Sequence, residues 1–595
     1  MFKTKFISVI SLVALFIPTF VYGQSSDAVA RFKDEGMNRS QAIKTIRYLT
    51  DVIGARLTNS PGQHRASRWT KEQLEKWGMQ NAVIDPWGEF GRGWEVKRFS
   101  ASVSIPDEFM SFRAYPKAWS PPTPGAITGD VIYVDATDEA GLEKYKGKLK
   151  GAIIFQVPPR EVRPGFEPTA TRNSDQTLTD LENAKLQPLQ QVQPNQQQLA
   201  AQQFNARKFR FYMEEGAAVL IDHGFGVDAG TIRVMGASLP PQSNPGGASV
   251  PVYAKNAPST LPQLVAEVEQ YNRIFRLLQQ GVQVKMTVDL DVKFYDNDLQ
   301  GYNTIAEIPG TDLKDEVVII GAHLDSWHSA TGATDNAAGV TVVMEAMRIL
   351  QASGFKPRRT IRVALWTGEE QGLLGSRGYV AKNFAVVGDG SAAATFSALA
   401  GVKQTINKKP AYDKFAAYYN LDNGTGQIRG IYMQGNESLR SIFREWLVPF
   451  KEYNASTLTV NSVSGTDHLA FDAAGLPGFQ FIQDQIEYFP RTWHTTQDVF
   501  DRVLEEDLKR SSIIMATFAY NSAMTDAKLP RKVTVAAATT SSLRGFDMRA
   551  EMDEMAFRKT GFNHSICGHN ISHDEIPSSF PTILTIATNN FINGE

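Results

Sequence analysis

A chain of 595 residues exceeds what one hydrophobic core organises, so two or more domains are expected. Its 42% hydrophobic and 21% charged residues are ordinary for a globular protein, and a formal net charge of -2 offers no basic field for nucleic acid or an anionic membrane. The single cysteine, Cys567, excludes an intrachain disulfide and any zinc site built from several thiolates, which leaves His, Asp and Glu to hold a metal.

Lys3 and Lys5 precede an apolar run over 6–20, and Val21-Tyr22-Gly23 supplies small residues at its end. This pattern predicts a secretory signal at 1–23, an exported protein (periplasmic or extracellular) starting at Gln24, and no stable membrane span after cleavage. Residues 24–122 read as the N-terminal part of a catalytic domain, with helices over 41–49 and 62–78 and a loop between them. Pro116, Pro121, Pro122 and Pro124 then mark a boundary.

Residues 123–295 turn to short β-like runs at 130–134, 148–157, 217–222, 250–254 and 282–295, so they read as an inserted, strand-rich module. A Gln- and Pro-rich tract over 186–203 is too poor in apolar residues for a core and is expected to make a surface excursion. Across 296–527 the catalytic core resumes at 302–310, and apolar runs at 317–321, 360–366, 415–421 and 478–482 mostly lack polar alternation, as strands covered on both faces do. Helical patterns at 337–351, 439–453 and 505–524 separate them, which predicts an α/β class: a three-layer α/β/α domain on a twisted, mostly parallel sheet. Residues 528–595 show no convincing period and read as a tail of unknown structure.

The chemistry sits where these strands end. Gly321-Ala-His323-Leu-Asp325-Ser, Asp335-Asn-Ala-Ala-Gly, Glu369-Glu370-Gln-Gly, Asn420-Leu-Asp422 and Trp493-His494 each follow a strand candidate. In open α/β sheets such loops share the carboxyl rim, so their donors converge. Alone, His323 reads equally as a core histidine and Asp335 as a helix N-cap; together they make a site for two zinc ions. Two cations roughly 3.5–4 Å apart need a bridging carboxylate, and Asp335 is the choice. His323 and Asp422 would complete one ion, and Glu370 and His494 the other. Asp325 is placed to orient His323, and Glu369 to take a proton from water activated between the ions. Trp327, His328, Tyr488 and Arg491 are candidates for holding substrate.

These segments, with Asn303-Thr-Ile-Ala-Glu-Ile-Pro-Gly, Gly332-Ala-Thr-Asp-Asn-Ala-Ala-Gly and His494-Thr-Thr-Gln-Asp498, resemble metallopeptidase family 28, the di-zinc aminopeptidase and glutamate carboxypeptidase group. The resemblance implies a zinc aminopeptidase-like fold and the same ligands, His323, Asp335, Glu370, Asp422 and His494, with Glu369 as general base and Asp325 as orienting residue. It also makes the inserted module similar to a protease-associated domain. The activity so implied is a secreted di-zinc exopeptidase on small peptide substrates, an aminopeptidase or dipeptidase, with a homodimer as a possible state. The alternatives are a carboxypeptidase of the glutamate carboxypeptidase type and a single-zinc acyltransferase of the glutaminyl cyclase type.

Overall fold

The computed structural model describes residues 20–186, 195–226, 229–240 and 250–532. Most of the expected signal segment (1–19), part of the Gln-rich tract (187–194) and the tail from 533 onward, with His564, Cys567, His569 and His573, lie outside the described residues. Among the described residues, no helix is long and apolar enough to cross a membrane.

Two eight-stranded sheets dominate. The first runs Gln80–Glu89, Gln300–Ile308, Arg359–Trp366, Leu313–His323, Phe415–Asn420, Gly478–Gln483, Ile428–Tyr432, Thr457–Thr459. Its central strands, from Arg359–Trp366 to Gly478–Gln483, are parallel, with Ile320 opposite both Val363 and Tyr419. Antiparallel pairings join the flanking strands to that centre, so the sheet is mixed, with parallel pairing concentrated in the middle.

Helices on both faces explain the unbroken apolar runs. Along Leu313–His323, Val318, Ile320 and Ala322 face one core, while Val317 and Ile319 face the other. Side chains alternate across a strand, so only a sheet covered twice buries consecutive residues. Helices Ala338–Ser353 and Glu505–Met524 fill the first side, joined by Ala28, Val29 and Phe32 of helix Phe20–Asn38. The second side is covered by Leu374–Asn383, Ala392–Leu399 and His468–Ala473. Each large aliphatic side chain fully buried this way contributes about 1.5–3 kcal/mol.

Local signals set the element ends. Ser60 accepts the Gln63 N–H and Pro61 opens helix Pro61–Lys76. Helix Ala338–Ser353 stops at Gly354, whose φ of +74 suits glycine. Beyond the Gln-rich tract, Asn195 and Gln198 form a capping box that starts helix Gln196–Glu214.

The second sheet runs Glu108–Ser111, Gly93–Ile105, Lys285–Tyr295, Ile127–Tyr133, Ile153–Phe155, Val219–Asp222, Gln263–Ala266, Ala114–Pro116. It takes its first strand from residue 93, inside the segment that the sequence reading gave to the catalytic domain. Gly93–Ile105 pairs with Lys285–Tyr295 along nearly its whole length. Its burial is irregular, so no apolar run announces it. The run expected as a strand at 250–254 is instead a turn, with the Ala254 N–H bonded to the Pro251 carbonyl; a proline without an N–H suits a turn better than a ladder.

Candidate active site

His323 closes strand Leu313–His323, Asp422 lies two residues beyond Phe415–Asn420, and Glu369 and Glu370 follow Arg359–Trp366. Parallel pairing of those strands brings the three ends to one rim. Asp335 sits in the turn Ala333–Ala337 just before helix Ala338–Ser353. The Asn336 amide donates to the Leu421 carbonyl at 2.9 Å and its oxygen accepts the Gly339 N–H at 2.9 Å, tying this turn to the Asp422 strand end. His494 lies beyond the turn Tyr488–Thr492, with φ of 60.

The five expected ligands come together. His323 Nε2 lies 3.2 Å from Asp335 Oδ1 and 3.3 Å from Asp422 Oδ1. His494 Nε2 lies 3.3 Å from Asp335 Oδ2 and 2.9 Å from Glu370 Oε2. The two oxygens of one carboxylate thus face two imidazoles. Tetrahedral zinc, with bonds of about 2.0–2.1 Å to nitrogen and oxygen, sets neighbouring donors about 3.3 Å apart, so these spacings fit the ion. Asp335 Oδ2 and Glu370 Oε1 are buried without a hydrogen-bond partner, which a cation would satisfy. Neutral imidazoles and carboxylates are a donor set suited to zinc.

The electrostatics agree. Burial pushes the Asp335, Glu369 and Glu370 carboxyls up, the two glutamates well above the usual range. Burial opposes protonation of His323, but the Asp422 and Glu369 carboxylates overcome it and hold its pKa well above the ordinary value. His494 is pushed well down by burial and by Arg233. Packing this many acids in one dry site is costly unless cations neutralise them.

Asp325 is placed differently from the simplest expectation. His323 Nδ1 lies 3.1 Å from the Asp325 backbone carbonyl and 3.6 Å from its carboxylate. The carboxylate accepts the Thr58 hydroxyl at 2.8 Å and the N–H groups of Glu369 and Glu370 at 3.4 Å each. Asp325 therefore contacts the histidine through its main chain and the Glu369–Glu370 turn through its side chain. Glu369 Oε2 stands 4.0 Å from His323 Nε2.

Of the substrate candidates, Trp327 packs on His494, with ring centroids 5.8 Å apart, and its Nε1 lacks a partner. It lines a small recess, with room for about one water (about 10 Å³), together with Ser329, Gly332, Asp335, His494 and Asp498. His328 is buried against Trp94 with Nε2 on the Pro116 carbonyl at 2.8 Å, bridging the site loop to the second sheet. Tyr488 is buried beside Asp335, and Arg491 bonds Glu487 at 2.8 Å. Asp467 and His468 open helix His468–Ala473, but the Asp467 side chain does not cap it.

Sequence reasoning missed the residues that lock these loops. Fully buried Arg56 donates to the carbonyls of Leu324 (2.7 Å), Thr331 (2.7 Å) and Gly332 (2.8 Å), fastening the loops around His323 and Asp335. Asp498 accepts the N–H groups of Thr334 at 2.6 Å and Asp335 at 3.2 Å. Nothing in Arg-Leu-Thr-Asn-Ser-Pro-Gly separates Arg56 and Thr58 from ordinary loop residues, because their partners lie more than 260 positions away.

Known proteins match the segment that carries these residues. Residues 303–519 fit the profile of peptidase family M28. Carboxypeptidase Q of Mus musculus is 24% identical over 515 residues, covering 86% of this chain and 91% of the relative. Carboxypeptidase Q of Pongo abelii is 23% identical over 86% of this chain and 91% of its own length. Among solved structures, a peptidase M28 precursor from Shewanella amazonensis superposes with a TM-score of 0.60 at 21% identity, covering 86% of this chain and 100% of the other, and so shares the fold. The segment that carries His323, Asp335, Glu369, Glu370, Asp422 and His494 is thus a peptidase family M28 segment, and the chain is a metallopeptidase.

Proposed function

We propose that the chain is an exported exopeptidase that holds two zinc ions and cleaves single residues from small peptides or splits dipeptides. The carrying observation is that opposite oxygens of the Asp335 carboxylate face His323 at 3.2 Å and His494 at 3.3 Å. His323 and Asp422 would hold one ion and Glu370 and His494 the other, with Asp335 shared. When bound, such ions polarise a water and the scissile carbonyl and bring the water's pKa from about 15.7 toward about 7. Glu369 is the residue for moving the proton: it is buried beside the ligands without being needed as one, and a buried carboxyl binds a proton readily. It takes the proton from water and delivers it to the leaving amine. The Asp325 carboxylate keeps the Glu369 main chain in place through its N–H.

Aminopeptidase or dipeptidase action is the first reading of direction. Carboxypeptidase action is the second, favoured by the names of the relatives that cover most of the chain. Purified, zinc-loaded protein offered free, N-blocked and C-blocked dipeptides separates them. Cleavage that requires a free amine supports the first, and cleavage that requires a free carboxylate supports the second. Glu369→Gln should lower turnover by about 10²–10⁴-fold while zinc content stays unchanged; near-normal turnover in that variant would overturn the mechanism.

A further inference from the structure

His494 is held by the 231–237 segment, in the connection between strands Val219–Asp222 and Gln263–Ala266 of the second sheet, as well as by its own loop. The Val234 N–H donates to the His494 carbonyl at 2.8 Å and the Thr496 N–H to the Ile232 carbonyl at 3.0 Å, with Arg233 and Thr495 facing each other as an antiparallel bridge. On its other side the same segment is stitched to Ala118, whose N–H bonds the Met235 carbonyl at 3.0 Å and whose carbonyl accepts the Ala237 N–H at 2.8 Å.

The Arg233 side chain completes the arrangement. Its Nε donates to the Trp493 carbonyl at 3.2 Å, and its two terminal nitrogens donate to the carbonyls of Phe489 at 2.6 Å and Phe225 at 3.3 Å. The guanidinium carbon lies 4.8 Å from the centre of the Trp493 ring, which stacks on the His494 imidazole at 3.8 Å and 30°. Three planar groups thus lie in sequence, and the last is a ligand candidate. His494 has φ of 60, a left-handed conformation that a non-glycine residue keeps only when its surroundings impose it. A lysine offers one compact charge in place of this planar fork.

We propose that Arg233 is a positioning residue for His494, and that through it the 231–237 segment, in the connection between strands Val219–Asp222 and Gln263–Ala266, clamps the ion shared by Glu370 and His494. This rests on the two-ion reading above. Because coupling is reciprocal, filling that ion's site seats the 231–237 segment, and loosening the segment weakens that ion while sparing the one at His323 and Asp422.

The test uses the full chain, zinc and a competing chelator. In the wild type two zinc ions bind. In Arg233→Ala the weaker affinity should fall about 10–100-fold, the range for residues that orient metal ligands, with the tighter one nearly unchanged. Arg233→Lys should fall between. Cobalt loaded in place of zinc should show a changed visible absorption for one of the two ions only. Unchanged affinities, or equal weakening of both ions as a general structural role would give, would overturn the clamp. Hydrogen exchange on the wild type decides even if Arg233→Ala fails to fold: adding zinc should slow exchange of the 231–237 amides, and no change there would overturn the proposal. A wild type that binds fewer than two zinc ions would instead overturn the two-ion reading, while the exchange measurement would still report on the clamp.

Discussion

The His323–Asp422 half and the Glu370–His494 half of the site are built by different means. His323 and Asp422 continue central strands whose backbones are paired on both sides and buried beneath two helical layers. Glu370 and His494 sit on turns, and His494 is contacted by Trp493, Arg233 and the 231–237 segment between two strands of the second sheet. The first half is set by the fold of one sheet, the second by the fit between two turns and the 231–237 segment. An ion held by the second half should therefore leave first.

The strongest way to break this asymmetry is to remove the carboxylate both halves share. Asp335→Ala should drop zinc from two per chain to near none and turnover to background, measured by metal analysis after dialysis. Loss of one ion only would mean that Asp335 does not bridge. Next in size, Asp422→Ala and His494→Ala should each remove one ion, and the His494 variant should keep the tighter one. If instead it keeps the weaker, the ranking of the halves is wrong.

A smaller effect should come from Thr58→Val, which strips the hydroxyl from the Asp325 carboxylate at 2.8 Å and the donor-acceptor link to the Gly368 N–H at 3.2 Å. Zinc affinity should weaken about 10–100-fold with the fold intact. Circular dichroism and chelator competition would check both parts.

A further effect, on stability and not on zinc, concerns the joint between the sheets. Burial lowers His328 to about 4, below its ordinary 6.5, so the folded protein keeps this imidazole neutral. Between pH 6.5 and 4 the unfolded chain takes up a proton that the fold refuses. Its contribution to stability is therefore complete above pH 6.5 and shrinks as pH falls, by on the order of 3 kcal/mol at pH 4. His468, also lowered to about 4 by burial, adds a second loss of the same sign. His328→Gln should flatten the fall in urea midpoint between pH 7 and pH 4.5 in metal-free protein. An unaltered slope would remove His328 from this role.

How much of this was legible in the sequence follows from where the information lies. The unbroken apolar runs at 317–321, 360–366, 415–421 and 478–482 announced strands covered on both faces, and those strands form the centre of the sheet. The ligand candidates were legible because acid and imidazole recur where each run ends. Gly93–Ile105 was not, since its half-exposed face carries Lys97, Arg98 and serines in place of an apolar pattern. Arg56, Thr58 and Arg233 were invisible for another reason. Their work is done on main-chain carbonyls or on a single distant carboxylate, and a backbone partner leaves no trace in residue type.

The Arg56 contacts bear on how little of this polypeptide can be made to work. The family segment, residues 303–519, contains every proposed ligand and the base. Even so, it would be born with the carbonyls of Leu324, Thr331 and Gly332 facing an empty socket where a guanidinium belongs. Any shortened version meant to hydrolyse peptides must begin upstream of residue 56, and a protease nick that released the N-terminal arm would switch the molecule off without touching one ligand.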